Sequence, residues 1–307
     1  VTAVLRIGTR GSRLALAQAE WVRQRLEEAH AGVAAELVII KTSGDRIRDR
    51  PLRDIGGKGL FVKELENALE AGEIDCAVHS LKDLPGTLAP GLVVSAVPER
   101  AAAHDVALTR GSGGLAALGS GARVGTSSPR RAALLRALHP QLDVVDLRGN
   151  VDTRLAKLER GEVDALVLAA AGLQRLGVAP PHLEACDVRL FIPAVGQGAL
   201  ALESRPGATA AQLTAIEHRP TRQATDAERA FLIAVGGTCV TPLAAHAAIA
   251  DGCLTLRALI ARPDGTRIIR GERAGAADDA ARIGAELAAA LLRDGGAAVL
   301  RELGWDG

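Results

Sequence analysis

From Val4 to Val97 short apolar runs alternate with stretches whose apolar residues recur every three or four positions. That pattern predicts strands at Val4–Gly8, Glu36–Lys41, Ile74–His79 and Leu92–Val97, with helices at Leu14–His30 and Leu60–Ala71 between them. Ser12 stands where a helix N-cap is needed. A β-α-β-α-β order implies a largely parallel sheet covered by helices on both faces.

The pattern then restarts. Strands are predicted at Arg123–Gly125, Leu142–Leu147 and Ala165–Ala169, and helices at Pro129–Leu138 and Val151–Glu159. Gly111, Gly113, Gly114, Gly119 and Gly121 mark a flexible surface loop that lacks the Lys-Ser/Thr ending of a phosphate loop. Two similar α/β units in succession predict two lobes with a ligand-holding cleft between them. After about Arg219 the texture changes to one amphipathic helix (Thr221–Ala234) and a turn-rich loop (Gly236–Pro242). A hairpin of Leu254–Ala261 with Arg267–Arg273 and a closing Ala/Leu helix from Ala276 to about Leu292 follow. This last part reads as a small α+β domain.

Composition narrows the function. At roughly 100 to 200 residues per domain, 307 residues predict two or three domains. The 37 basic and 36 acidic side chains leave a net charge of +1, and three Phe, two Trp and no Tyr offer few stacking platforms, so a nucleic-acid binder is disfavoured. The four cysteines show no C-x-x-C pairing and no His at ligand spacing, which predicts no metal site and a reducing compartment. Arg6, Arg10 and Arg13 interrupt any apolar leader, and no run approaches the roughly 18 apolar residues of a membrane span; a cytoplasmic protein is expected.

Arginine is the informative residue type. Of the 37 basic residues 32 are Arg and five are Lys, a ratio that reads mainly as a base composition favouring Arg codons and that alone names no ligand. Position says more. Arg10 with Ser12, then Thr126-Ser127-Ser128-Pro129-Arg130-Arg131, then Arg148-Gly149-Asn150 with Arg154, all fall just past predicted strands and at helix starts, where free backbone N–H groups favour anions. Each site alone reads equally as a capped helix with solvated Arg. Three on one edge favour a shared ligand bearing separate carboxylates. Asp83 follows the strand Ile74–His79 onto the same edge. It is either half of a surface pair with Lys82 or a carboxylate held in an Arg-lined cleft to support a developing cation. Gly56-Gly57-Lys58-Gly59 is a weak anion-cradle signal, and Cys239 sits in a loop rather than in an apolar run.

Together these segments resemble the porphobilinogen deaminase (hydroxymethylbilane synthase) family. The matching pieces are Arg6–Ser12, Gly56–Phe61, Ala77–Pro85, Val124–Arg131, Leu147–Asn150, Ala171–Gly177 and Pro193–Ala199, in order over nearly the whole chain. The resemblance implies two periplasmic-binding-protein-like lobes (1–98 with 198–217, and 99–197) and a C-terminal domain (218–307). It implies a cytoplasmic, monomeric transferase. Its substrate would be porphobilinogen, four molecules of which are joined head to tail on a covalent dipyrromethane cofactor with loss of ammonia. Hydrolysis would then release linear hydroxymethylbilane.

Site residues follow by the same resemblance. Cys239 would carry the cofactor by a thioether, although Thr238 stands where the family usually has Gly. Asp83 would be catalytic. Lys82, Thr126, Ser127, Ser128, Arg130, Arg131, Arg148 and Gly149 would hold the cofactor, while Arg10, Ser12, Arg148, Arg154 and Gln197 would hold the growing pyrrole chain. Lys58 and Phe61 would belong to a mobile loop. The competing expectation is a two-lobed module that binds or senses a small carboxylate without chemistry.

Overall fold

The computed structural model describes residues 4–30, 33–42, 62–238 and 241–304. By contacts the chain forms two compact units, Val1–Ala101 with Gly198–Gln223, and Ala102–Gln197 with Ala224–Gly307. The chain runs through the first unit as β1 (Leu5–Arg10), α1 (Arg13–Ala29), β2 (Ala35–Ile40), α2 (Lys63–Glu70), β3 (Cys76–Ser80) and β4 (Val93–Ala96). The second unit begins with β5 (Asp105–Thr109), β6 (Arg123–Gly125), α3 (Pro129–Leu138), β7 (Asp143–Val145) and α4 (Val151–Glu159). It continues through β8 (Ala165–Ala169), α5 (Ala170–Leu176) and β9 (Leu183–Ala185). β10 (Leu200–Ser204) and α6 (Ala208–Leu213) return to the first unit, and α7 (Arg219–Val235) leads out of it. Last come β11 (Leu243–Ala250), β12 (Cys253–Ala261), β13 (Ile268–Ala276), α8 (Ala280–Leu291) and α9 (Ala297–Glu302).

The first unit is built on a sheet of order β2-β1-β3-β10-β4. β1 pairs in parallel with β2 and β3, whereas β10 is antiparallel to both of its neighbours. Alternation along the strands sorts the core. Ile7, Cys76, Val78 and Leu202 pack with Ala19, Val22 and Leu26 of α1, while Ala77 on the opposite face packs with Leu65, Ala68 and Leu69 of α2.

The second unit repeats the plan with order β7-β6-β8-β5-β9, where β5 is antiparallel to β8 and β9. One face of this sheet carries Val106, Leu108, Leu166 and Leu168 against Leu158 and Leu173. The other carries Ala107, Val124 and Val167 against Leu134 and Leu135 of α3, joined by Ala244 and Leu259 of the C-terminal sheet. That C-terminal sheet is the antiparallel β11-β12-β13, backed by Phe231 of α7 and Ile283, Leu287 and Leu291 of α8. Glu228 of α7 is wholly buried and accepts from the Gly196 N–H at 2.7 Å and the Ala247 N–H at 2.8 Å, tying the 193–197 segment to β11.

Two five-stranded α/β sheets, each with a parallel set, and a three-stranded antiparallel sheet backed by helices are therefore present. Both sheets depart from the expected β-α-β-α-β order in one respect, the antiparallel strand that each inserts beside its parallel set. The glycine-rich loop of 111–121 holds a short helical turn, Leu115–Ala117, whose Leu115 is buried and donates its N–H to Glu184 Oε2 at 2.9 Å. Among the described residues no helix is long and apolar enough to cross a membrane.

Candidate active site

In the first unit β1 ends at Arg10 and Ser12 caps α1, its hydroxyl accepting from the Ala15 N–H at 3.3 Å. β3 ends at Ser80, and the chain turns through a single helical turn, Leu81–Asp83, anchored by buried Leu81. Because β1 and β3 are parallel neighbours, both ends reach the same edge. Arg10, Ser12, Gln18, His79, Ser80 and Asp83 line one depression of about 70 Å³ there. Gln18 is buried and donates from Nε2 to Ser80 Oγ at 2.8 Å, bracing α1 against β3 beneath it. Lys82 lies in the same turn, half-buried and outside that lining.

The corresponding edge of the second unit is cationic. Ser128 caps α3 with Pro129 at the first helical position, and Thr126, buried, accepts from the Ser128 N–H at 3.2 Å. Asn150 caps α4, accepting from the Thr153 N–H at 2.9 Å. Gly149 before it has φ 119°, and a Cβ there would stand 2.6 Å from Thr153 Cγ2. Arg154 donates from Nε to the Gly149 carbonyl at 2.8 Å and from Nη2 to Ser127 Oγ at 3.1 Å, joining the two helix starts. Arg148 donates from Nε to Asp146 at 3.2 Å. Burial draws the Arg154 pKa down to about 10; Arg131 and Arg148 add to this while Asp146 opposes it. Cations are crowded at this edge.

Behind it lies a buried cluster. Asp105, fully buried at the start of β5, receives Arg130 Nη1 at 2.7 Å on one oxygen, and Arg131 Nη2 at 2.7 Å and Nε at 3.0 Å on the other. Gln197, also fully buried, donates from Nε2 to Asp105 at 2.9 Å and to the Ala103 carbonyl at 2.7 Å. Burial alone would push the Asp105 carboxyl up, but the two guanidiniums hold it well below the usual carboxylate range. Two cations on one carboxylate leave a surplus positive charge. Arg130 Nε is buried without a hydrogen-bond partner among the described residues.

The structure thus brings Arg10, Ser12 and Asp83 into one depression, and Thr126, Ser127, Ser128, Arg148, Gly149 and Arg154 to one edge. It sets Arg130, Arg131 and Gln197 in the buried cluster behind that edge. Cys239, Lys58 and Phe61 lie outside the described residues. Arg175 of α5 is a cation that position along the chain did not single out; burial draws its pKa down to about 10. Its motif, Ala171–Gly177, was visible, but a lone Arg on a short helix gives no sign of being desolvated.

Residues 5–212 match the family model described as "Porphobilinogen deaminase, dipyromethane cofactor binding domain", and residues 223–293 match "Porphobilinogen deaminase, C-terminal domain". This chain belongs to the porphobilinogen deaminase family. A curated porphobilinogen deaminase of Syntrophotalea carbinolica is 48% identical over 304 residues, covering 98% of this chain and 96% of that protein. The porphobilinogen deaminase of Roseiflexus sp. is 50% identical over 296 residues, covering 96% and 97%. Among solved structures the methionine-binding protein MetQ aligns at a TM-score of 0.43 and 15% identity, over 73% of this chain and 91% of that one.

A porphobilinogen deaminase carries a dipyrromethane, whose acetate and propionate arms need cations with directed donors. The second unit's edge fits that requirement. Arg148 at that edge and Arg131 behind it each repel Arg154, and a carboxylate there would relieve the repulsion.

Proposed function

We propose that this protein releases ammonia from porphobilinogen, joins four such pyrroles head to tail on a dipyrromethane primer, and hydrolyses off linear hydroxymethylbilane. The observation that carries this reading is the placing of Asp83 in one depression with Arg10 and Ser12, in a chain whose family match spans both of its parts. The family match favours an enzyme over a module that only binds a carboxylate. On the same reading the protein is a transferase acting as a monomer in the cytoplasm, with domains at 1–98 with 198–217, 99–197 and 218–307.

Cys239 is the residue we assign to hold the cofactor, through a thioether. When bound, the cofactor supplies the acceptor ring on which the chain grows. Lys82, Thr126, Ser127, Ser128, Arg148 and Gly149 hold its side arms by direct donation, and Arg130 and Arg131 add positive potential from behind. Arg10, Ser12 and Arg154 take the carboxylates of incoming pyrroles. Gln197 serves by keeping Asp105 and the two arginines in place. Asp83 accepts from the pyrrole N–H, stabilises the positive charge that develops on the substrate methylene as ammonia departs, and moves the ring proton that is lost on coupling.

Intact mass spectrometry tests the reading. The purified protein is expected to exceed its sequence mass by two pyrrole units, with the addition mapped to Cys239 and absent from Cys239→Ser. A protein that turns over porphobilinogen at its bare sequence mass overturns the assignment.

A further inference from the structure

We propose that His79 is a further substrate-contacting residue of the Asp83 depression and that Glu203 is the residue that positions it; the proposal rests on the reading above. In the β3–β10 pair His79 stands opposite Ala201 and Glu203 opposite Ala77. His79 and Glu203 are therefore diagonal neighbours on one face of the sheet, within reach of long side chains. His79 Nε2 lies 2.9 Å from Glu203 Oε2, and the two side chains are 4% and 0% exposed. Neither oxygen of Glu203 nor Nε2 of His79 has an aligned hydrogen bond among the described residues, so the two buried groups face each other as a close polar contact with no competing partner. Glu66 of α2 senses both groups. Burial and the Glu203 charge push its carboxyl up, while the Ala89 N–H and His79 oppose the shift.

Stability does not explain such a pair, because well-packed apolar residues in its place are often neutral or stabilising. Location does. His79 lines the depression beside Arg10, Ser12, Ser80 and Asp83, with Glu203 behind it. In a neutral imidazole a carboxylate 2.9 Å from Nε2 favours the tautomer protonated on that nitrogen, whose lone pair is on Nδ1. That nitrogen is an acceptor suited to the aminomethyl group of porphobilinogen, an N–H donor. Holding that group fixes the bond that breaks relative to Asp83.

The test compares wild type with Glu203→Leu, Glu203→Gln and the double variant His79→Leu/Glu203→Leu, all as holoenzyme. The double variant is expected to melt near wild type, because the buried polar pair is replaced whole, yet to lose about 10- to 100-fold in both kcat and kcat/KM. Glu203→Gln, whose amide oxygen keeps an acceptor beside Nε2, is expected to recover most of the loss seen in Glu203→Leu. In protein labelled with ¹⁵N-histidine, the His79 Nδ1 resonance is expected to move when porphobilinogen is added. A folded double variant with wild-type kcat overturns the proposal, as does an unmoved Nδ1 resonance. Should the double variant not fold, the Gln rescue and the resonance decide. Wild type that neither carries the adduct nor releases ammonia overturns the functional reading itself; active wild type beside an equally active double variant overturns this inference alone.

Discussion

Asp83 is an exposed carboxylate at the end of a single helical turn, and its setting is supplied by neighbours rather than by burial. The side chain can therefore be altered without disturbing the core. Asp83→Asn keeps the shape and removes the full negative charge. Turnover is expected to fall by at least about 10²-fold, with stability within about 0.5 kcal/mol of wild type. Ammonia release and a thermal melt on the same preparation check both halves, and near-normal release removes Asp83 from its role. The arginines teach the complementary lesson. Along the chain Arg130, Arg131 and Arg154 look alike, each polar and each near a helix start. In the fold Arg154 joins Ser127 to Gly149, whereas Arg130 and Arg131 close on Asp105, about 25 residues earlier. Residue type was legible and partner was not, because the partner sits on a strand that local patterning does not pair with α3.

At the scale of elements, helix starts that face the cationic edge owe their geometry to one or two residues each. Ser128→Ala removes the cap of α3 and is expected to cost about 1 kcal/mol by chemical denaturation. Gly149→Ala is expected to cost more than that cap, since alanine at φ 119° is strained and its Cβ would collide with Thr153. Equal losses in the two variants would show that the α4 start relaxes freely. The same local signals made many elements readable. α3, α4, β6 and β8 begin and end where their caps, apolar spacing and bounding turns place them. β5, β9 and β10 had no such signature. β5 and β10 are buried on both faces, so they lack the alternation of a half-exposed strand, and β9 is only three residues long.

The whole molecule carries a pH dependence that single elements do not. Asp75 in the first unit and Asp105 in the second both bind arginine. Burial would raise each carboxyl, and the guanidiniums of Arg6 and of Arg130 with Arg131 respectively bring each below its ordinary value. A carboxyl depressed in the fold contributes stability above its unfolded pKa, near 4, and loses it as pH falls through the folded value. Glu66, raised in the fold, works in the opposite sense, losing its contribution as pH rises through its folded value. Acid denaturation is therefore expected to set in below about pH 4. Its steepness should be reduced in Asp105→Asn, measured relative to that variant's own stability at pH 7. An unchanged slope would mean that Asp105 is paired to the same degree in the unfolded chain.

By itself the sequence determined the local order of helices and strands, the caps that end them, the family, and the residue types that carry charge at strand ends. Those are properties of neighbours along the chain: apolar period, turn chemistry and motif spacing. Only the tertiary structure decided that β10 inserts between β3 and β4 and that β5 runs against β8. It alone set Asp105 beneath two arginines and placed Glu203 behind His79. Such pairings join residues 25 to more than 100 positions apart, and they are selected by which buried faces and charges complement one another once the chain has collapsed.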